Sequence, residues 1–224
     1  MDARVISEVE EKIGYVFKDK GLLVTAMTHA SYVNEHKDCE SYEKMEFFGD
    51  SILNFIVAEG LFTTAIKDEG EMTVKRARIV SKKPLYDAVC EMDIFKYVRF
   101  GKGATRSETF SEKAKSDIFE SILAAIYIDS NKDLAIARKF VHGHLKTAIT
   151  YAITDFKSKL QVYAQARKIP LVYLKAEQGG EKHHPSFTAE VVLGGEYHGV
   201  GTGYSIKEAQ QNAARQVLHE LGEI

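Results

Sequence analysis

The sequence has 224 residues, of which 45% are hydrophobic and 28% charged, enough for one large or two small packed domains. Its two cysteines, Cys39 and Cys90, lie far apart without CxxC or Cys/His spacing, which argues against a disulfide framework and a zinc site. No apolar run approaches the roughly 20 residues of a membrane span, and no N-terminal segment suggests a signal peptide. We therefore expect a cytoplasmic protein without a membrane partner.

The net charge of −2 does not by itself indicate a nucleic-acid-binding protein. Basic and acidic side chains number 22 and 24 in residues 1–154, and 8 and 8 in residues 155–224. Because neither part is basic, binding to a polyanion must depend on local patches and on metal ions that neutralise an acidic site.

Residues 1–154 read as helices almost throughout, and the segment Tyr42–Glu59 is the first that carries candidate functional groups. Glu43, Glu46 and Asp50 would share one face of this helix. Apolar residues cover much of the remaining circumference and predict a helix buried in a core: Met45, Phe48, Ile52, Leu53, Phe55, Ile56 and Val57. The acids are either a solvated stripe or a site, since buried carboxylates need basic partners, protonation or a hard cation.

A second helical stretch, Lys113–Asp129, carries Asp117 and Glu120 one turn apart ahead of another apolar run. If the two helices pack side by side, these acids converge with Glu46 and Asp50. Mg²⁺ prefers hard oxygen ligands and usually keeps several waters and a substrate phosphate, so a few carboxylates can hold it. The pattern favours metal-assisted phosphoryl chemistry.

The polar segment Gly101–Ser116, which leads into Asp117, predicts a loop between helices. Lys113 or Lys115 could reach a phosphate from this segment, but we expect both lysines to face solvent.

After residue 154 the periodicity changes from helical to alternating. Asp155 can cap a helix that ends near Arg167, and Ser205 with Glu208 forms a capping box for a helix that ends near Leu221. Between the two helices we predict three strands, a loop and a tight hairpin turn, namely a strand at 170–178, a loop at 179–185, strands at 186–193 and 196–204, and the turn Gly194–Gly195. The predicted order is α-β-β-β-α.

Four segments, in order, resemble motifs of the ribonuclease III family: LLVTAMTHASY, MEFFGDSIL, GEMTVKRARIVS and SDIFESILAAIYID. Three later segments resemble the double-stranded RNA-binding domain: DFKSKLQ, HHPSF and GTGYSIKEAQQNAA. The resemblance implies an all-α endonuclease domain in residues 1–154, followed by a small α+β double-stranded RNA-binding domain in residues 155–224.

The same resemblance implies Mg²⁺-dependent hydrolysis of phosphodiesters in double-stranded RNA, with Mn²⁺ able to substitute, during rRNA and mRNA processing. The products would carry 5′-phosphate and 3′-hydroxyl ends. It also implies a homodimer through the endonuclease domain and no small-molecule cofactor. The implied catalytic and metal-binding residues are Glu46, Asp50, Asp117 and Glu120, with Glu43 and Glu69 as supporting acids.

For RNA contacts the resemblance implies Arg76 in the first domain, and Gln161, His183 and Lys207 in the second. Duplex RNA is recognised mainly by shape, through 2′-hydroxyls and phosphates, which suits polar groups on a helix face, a loop and a helix N-terminus. His29 resembles a family residue as well, and we expect it to form a buried hydrogen bond at a helix end. Asn54 lies one turn past Asp50, and we expect a structural role for it.

The alternative is a catalytically idle relative that binds duplex RNA or serves as a scaffold in ribosome assembly. Such relatives typically lose acidic ligands, whereas all four candidates are present here, so the sequence favours the enzyme. Cleavage of DNA is disfavoured because the second domain prefers A-form geometry.

Overall fold

The computed structural model describes residues 1–64, 66–104, 111–181 and 184–224. Contacts divide the chain into two units, Met1–Ile153 and Thr154–Ile224. The described part of the first unit is helical apart from an isolated bridge between Thr28 and Arg99. Its helices are α1 (Ala3–Ile13), α2 (Lys20–Ala26), α3 (Ala30–Glu35), α4 (Glu43–Phe62), α5 (Glu69–Ile79), α6 (Lys82–Met92), the 3₁₀ turn Phe95–Tyr97, α7 (Glu112–Asp129), α8 (Leu134–His144) and α9 (Lys146–Ile153).

Helix α7 lies at the centre of the first unit and packs against α2, α4, α6 and α8. Its apolar residues are buried around most of the helix, and five of the large ones are fully buried: Ile118, Phe119, Ile122, Leu123 and Ile126. Since each such side chain contributes about 1.5–3 kcal/mol, α7 supplies much of the energy that holds the first unit together.

Helix α4 is buried on one side only, which corrects the prediction that its apolar residues are buried in a core. Its inner side places Ile52, Leu53 and Ile56 in the core. Its outer side leaves Phe47 78% exposed and Phe62 80% exposed. Phe48 and Phe55, which were predicted to be buried, are also exposed. The helix carries more apolar residues than one core can contact, so periodicity alone assigned too much of it to the interior.

The predicted loop at Gly101–Ser116 is also partly wrong. Ser111 caps α7 by accepting a hydrogen bond from the backbone N–H of Ala114 at 3.0 Å, so the helix already begins at Glu112. Residues 105–110 of the predicted loop lie outside the described part of the chain.

The second unit consists of two helices and an antiparallel sheet, which is the predicted class, but the sheet has four strands instead of three. Asp155 caps the first helix by accepting from the N–H of Ser158 at 3.0 Å. The elements are α10 (Phe156–Arg167), β1 (Leu171–Tyr173), β2 (Glu177–Glu181), β3 (His184–Leu193), β4 (Tyr197–Gly203) and α11 (Ile206–Glu220). Both β1 and β2 pair with one edge of β3, and β4 pairs with the other.

The single strand predicted at 170–178 is two strands, because the register changes between them. Tyr173 pairs with Val191 and Glu177 with Thr188, so three residues on one side oppose two on the other, as in a β-bulge. Strand β2 continues through Glu181, which pairs with His184, so most of the predicted loop at 179–185 is strand instead. Residues 182 and 183 lie outside the described part of the chain.

The turn and the last helix of this unit agree with the prediction. Gly194 and Gly195 have left-handed φ values of 64° and 77°, and the N–H of Glu196 donates to the carbonyl of Leu193 at 3.2 Å. Because Leu193 pairs with Tyr197, Glu196 belongs to the loop and not to the strand predicted at 196–204. Ala209, Ala213 and Val217 form the buried face of α11 against β3 and β4. None of the helices described in either unit has the length and apolar content needed to cross a membrane.

Candidate active site

The candidate site forms where α4 crosses α7. Gly49 sits at the crossing, and a Cβ atom built there would overlap the backbone carbonyl of Glu120. Only glycine therefore allows the two backbones to approach this closely. The approach brings Glu46, one turn before Gly49, next to Asp117 and Glu120.

Three carboxylates meet at this crossing. Glu46, Asp117 and Glu120 each offer an oxygen atom that lies within 4.8 Å of those of the other two. Asp117 is buried, and the other two are partly buried. Asp50 is exposed and lies outside this group, although its charge acts on Glu120. The side-chain amide of Asn54 donates to Asp50 at 2.9 Å, which fits the structural role expected for Asn54.

The carboxylates of this site cannot all be ionised without a large energetic cost. Burial, followed by the charges of Asp50, Asp117 and Glu46, raises the pKa of Glu120 to about 8. Burial and the charge of Asp117 also raise the pKa of Glu46, and Lys113 opposes that shift. The cluster therefore holds a proton near neutral pH unless a cation neutralises it.

Tyr42, the residue that precedes α4, lies near Asp117. Its side chain is buried, and its backbone N–H donates to the carbonyl of Thr28 at 2.9 Å. Burial and the charges of Asp117 and Glu46 raise the pKa of Tyr42 well above its usual value, so its hydroxyl remains a donor. Sequence reasoning missed this residue, because its position depends on how distant segments pack.

Lys113 was expected to face solvent, but in the structure its ammonium group contacts two of the acids. Its ammonium nitrogen lies 2.7 Å from Asp117 Oδ2 and 3.7 Å from Glu46 Oε1. Hydrogen bonding to Asp117 raises the pKa of Lys113, so it carries its charge at neutral pH. The i,i+4 spacing of Lys113 and Asp117 is the signal that could have indicated this pair.

The two supporting acids are in different places. Glu43 is exposed, accepts a hydrogen bond from Ser41 Oγ at 2.9 Å and lines a cleft of about 180 Å³ beside Glu46 and Asp117. Glu69 begins α5, accepts from Thr73 Oγ1 at 2.9 Å and is not part of the carboxylate group.

His29 lines the same cleft and caps α3. Its Nδ1 accepts a hydrogen bond from the backbone N–H of Ser31 at 3.1 Å. This is the helix-end role expected for it.

Three of the predicted RNA-contact residues lie on helices of the described chain. Arg76 is half-buried on α5, Gln161 is exposed on α10, and Lys207 is exposed in the first turn of α11. Lys207 is close enough to Asp155 to help lower the pKa of that carboxyl. His183 lies outside the described residues.

Comparison with known proteins assigns a family to each unit. A family model described as "Ribonuclease-III-like" matches residues 19–149, and one described as "Double-stranded RNA binding motif" matches residues 156–221. Ribonuclease 3 of Clostridium perfringens is 36% identical over 97% of this chain and 94% of its own. Ribonuclease 3 of Clostridium beijerinckii is 37% identical over 99% of this chain and 98% of its own.

Solved structures agree with this assignment for the first unit. Two structures of the nuclease domain of ribonuclease III from Campylobacter jejuni match with TM-scores of 0.55 and 0.54, at 26% and 25% identity. They cover 64% and 66% of this chain, and 97% and 96% of the matched chains.

A helical unit with a carboxylate cluster, followed by a duplex-RNA-binding motif, defines a double-stranded-RNA nuclease. The chain belongs to the ribonuclease III family and is a double-stranded-RNA-specific endoribonuclease. The predicted family, fold class and enzyme class are confirmed.

Proposed function

We propose that the enzyme hydrolyses phosphodiesters of double-stranded RNA with Mg²⁺, leaving 5′-phosphate and 3′-hydroxyl ends, and that Mn²⁺ can substitute. The observation that carries this proposal is the convergence of Glu46, Asp117 and Glu120, whose oxygens lie within 4.8 Å of one another. Asp50, at the edge of the group, is the fourth proposed ligand, and these four are the proposed catalytic residues.

The donor set fits a hard divalent cation. Carboxylate oxygens are the protein ligands that Mg²⁺ uses, and the cleft beside them leaves room for water and a phosphate. A bound ion would activate water and neutralise charge that develops on the phosphate.

The residues of the chain have separate tasks around such an ion. Tyr42 covers one side of Asp117 with a buried side chain, and Asn54 orients Asp50. Glu120 would hold such an ion as a carboxylate, and burial and neighbouring negative charge raise its pKa without one. Glu43 and Glu69 are proposed as supporting acids, and the position of Glu43 on the cleft favours it over Glu69.

We propose residues 1–154 as the nuclease domain and residues 155–224 as the duplex-binding domain. The residues up to Ile153 contact mainly one another, and so do those from Thr154 onward, which supports this boundary. Gln161, His183 and Lys207 are the proposed RNA contacts of the second domain, and Arg76 that of the first. With 8 basic and 8 acidic residues, the second domain should bind weakly and in a salt-sensitive manner on its own.

We propose a homodimer through the outer face of α4. Phe47, Phe55 and Phe62 are exposed and fall within about 80° of one another on the helix. Two copies related by a two-fold axis would cover this apolar stripe and supply one site for each RNA strand. A structure of the Campylobacter jejuni nuclease domain describes a region involved in dimer formation, which supports the proposal. Action on rRNA and mRNA precursors in the cytoplasm stays a prediction.

The test is incubation of purified protein with a long labelled duplex RNA, in Mg²⁺ and in EDTA, followed by a denaturing gel. We expect short fragments only when Mg²⁺ is present. Their 5′ ends should accept a label only after phosphatase treatment, which would show that they carry 5′-phosphates. Intact RNA that is nevertheless shifted on a native gel would contradict the proposed chemistry and favour binding without cleavage.

A further inference from the structure

Lys113 is the basic residue that reaches the carboxylate group. In the described part of the chain, no other lysine, arginine or histidine forms an ion pair with Glu46, Asp117 or Glu120. Its ammonium pairs with two of these three acids, at 2.7 Å and 3.7 Å. The same two carboxylates are proposed ligands of the divalent ion.

The place of Lys113 in α7 shows that these contacts have a cost. It lies in the first turn of the helix, where the positive end of the helix dipole disfavours a cation. Because Ser111 caps the helix, Lys113 is already helical and lies one turn before Asp117 on the same face. The ion pairs with Asp117 and Glu46 offset the unfavourable position.

The ammonium and a divalent ion cannot both occupy the same oxygens fully. Without the ion, Lys113 supplies one of the positive charges that the buried acids require. When the divalent ion is bound, the acids no longer need the charge of Lys113, and the ammonium group repels the ion. Because the lysine side chain is 63% exposed, rotation of its flexible stem can move it into solvent without disturbing the core.

We propose that Lys113 is a built-in counter-ion of the carboxylate group, which competes with the divalent ion for Asp117 and Glu46 and so limits the metal affinity of this enzyme. This inference rests on the metal-binding role proposed above for those carboxylates. It predicts that the neutral variant Lys113→Gln binds the ion more tightly than the natural chain does.

The experiment is a titration of Mn²⁺ into the metal-free, full-length protein without RNA, with free Mn²⁺ read by electron paramagnetic resonance. Lys113→Gln should lower Kd by about tenfold, the effect of losing two partly exposed ion pairs. Lys113→Arg keeps the charge and should bind like the natural chain.

Lys115→Gln is the matched control. Lys115 lies on the same helix, but it contacts Cys90 Sγ at 3.2 Å and sits 4.4 Å from the ring centre of Tyr86. Its removal should leave Kd within twofold of the natural value. Thermal melting gives a second measurement: Lys113→Gln should melt at a lower temperature than the natural chain when both are metal-free, and saturating Mn²⁺ should remove that difference.

Suppose that the natural chain binds Mn²⁺ and that a folded Lys113→Gln variant binds it no more tightly. That result would overturn this inference and leave the proposed metal site standing. Failure of both proteins to bind Mn²⁺ would overturn the proposed metal site, and the inference with it.

Discussion

The two units position their functional groups in different ways. In the nuclease unit, Glu46 and Asp117 come from distant parts of the chain and meet where α4 and α7 cross. In the RNA-binding unit, Gln161 and Lys207 are exposed on helix surfaces, where each can be changed without disturbing a core. The proposed chemistry of the first unit therefore depends on tertiary packing, whereas the proposed RNA contacts of the second are individual surface groups.

Charge follows the same division. The nuclease unit concentrates like charges under partial burial, so its acids depend on a proton, Lys113 or a cation. The proposed contacts of the RNA-binding unit keep their charges in water, where each contributes little and salt weakens it. Changes in the first unit should affect stability and cleavage together, and changes in the second should affect binding alone.

The largest effect on stability is expected at the helix crossing. Gly49→Ala should lower stability by about 3 kcal/mol or more, because its methyl group has no space against the carbonyl of Glu120. Cleavage should fall by at least roughly 100-fold as Glu46 moves away from its partners. Thermal melting and duplex cleavage measure both effects.

Gly60→Ala is the control for this change. Gly60 lies on the same helix, and a Cβ there would have no atom within 4 Å, so this variant should be as stable as the natural chain or slightly more so. Equal behaviour of the two variants would show that the crossing tolerates a side chain.

A smaller effect is expected from pH in the metal-free protein. A glutamate ordinarily titrates near 4.5, and in the folded chain the pKa of Glu120 is about 8. Between these values the folded state keeps a proton that the unfolded state has released. The stabilisation is complete below pH 4.5 and is lost as the pH rises through 8.

From pH 6 to 8.5 the loss from Glu120 should be roughly 2 kcal/mol, and melting curves at several pH values would measure it. Glu120→Gln should show a flatter dependence. If the stability of the natural chain and that of the variant changed equally with pH, burial of Glu120 would not be the cause.

The smallest effect is expected in the RNA-binding unit. Lys207→Ala should weaken duplex binding by about threefold to tenfold and reduce the salt slope by about one, because it removes one phosphate contact. Cleavage at saturating RNA should not change. Lys175→Ala, an exposed lysine between β1 and β2, is the control in the same filter-binding assay. Equal losses in both variants would argue for nonspecific attraction.

Local patterns predicted the helical character of the first unit, two of its helices, and most elements of the second unit. The acid pairs, the Asp155 cap and the Gly194–Gly195 turn are short-range features, and the structure contains them. The break between β1 and β2 was not predictable, because it depends on register with β3 and not on the residues within the strand.

The candidate site was predictable in part. The acids indicated a cluster, but sequence spacing could not reveal that Asp50 would stay at its edge or that Tyr42 would lie near Asp117. An apolar helix face looks the same in a sequence whether it meets a core or solvent, which is why the exposed side of α4 was misassigned.

The central claim is that cleavage depends on the carboxylate group, while duplex binding is supplied separately. The most direct measurement compares Asp117→Asn with the natural chain in two assays on one duplex: cleavage in Mg²⁺ and gel-shift binding in Ca²⁺. Cleavage should fall by roughly 1,000-fold or more, while Kd stays within about twofold. A variant that binds normally and cuts within tenfold of the natural rate would contradict the account.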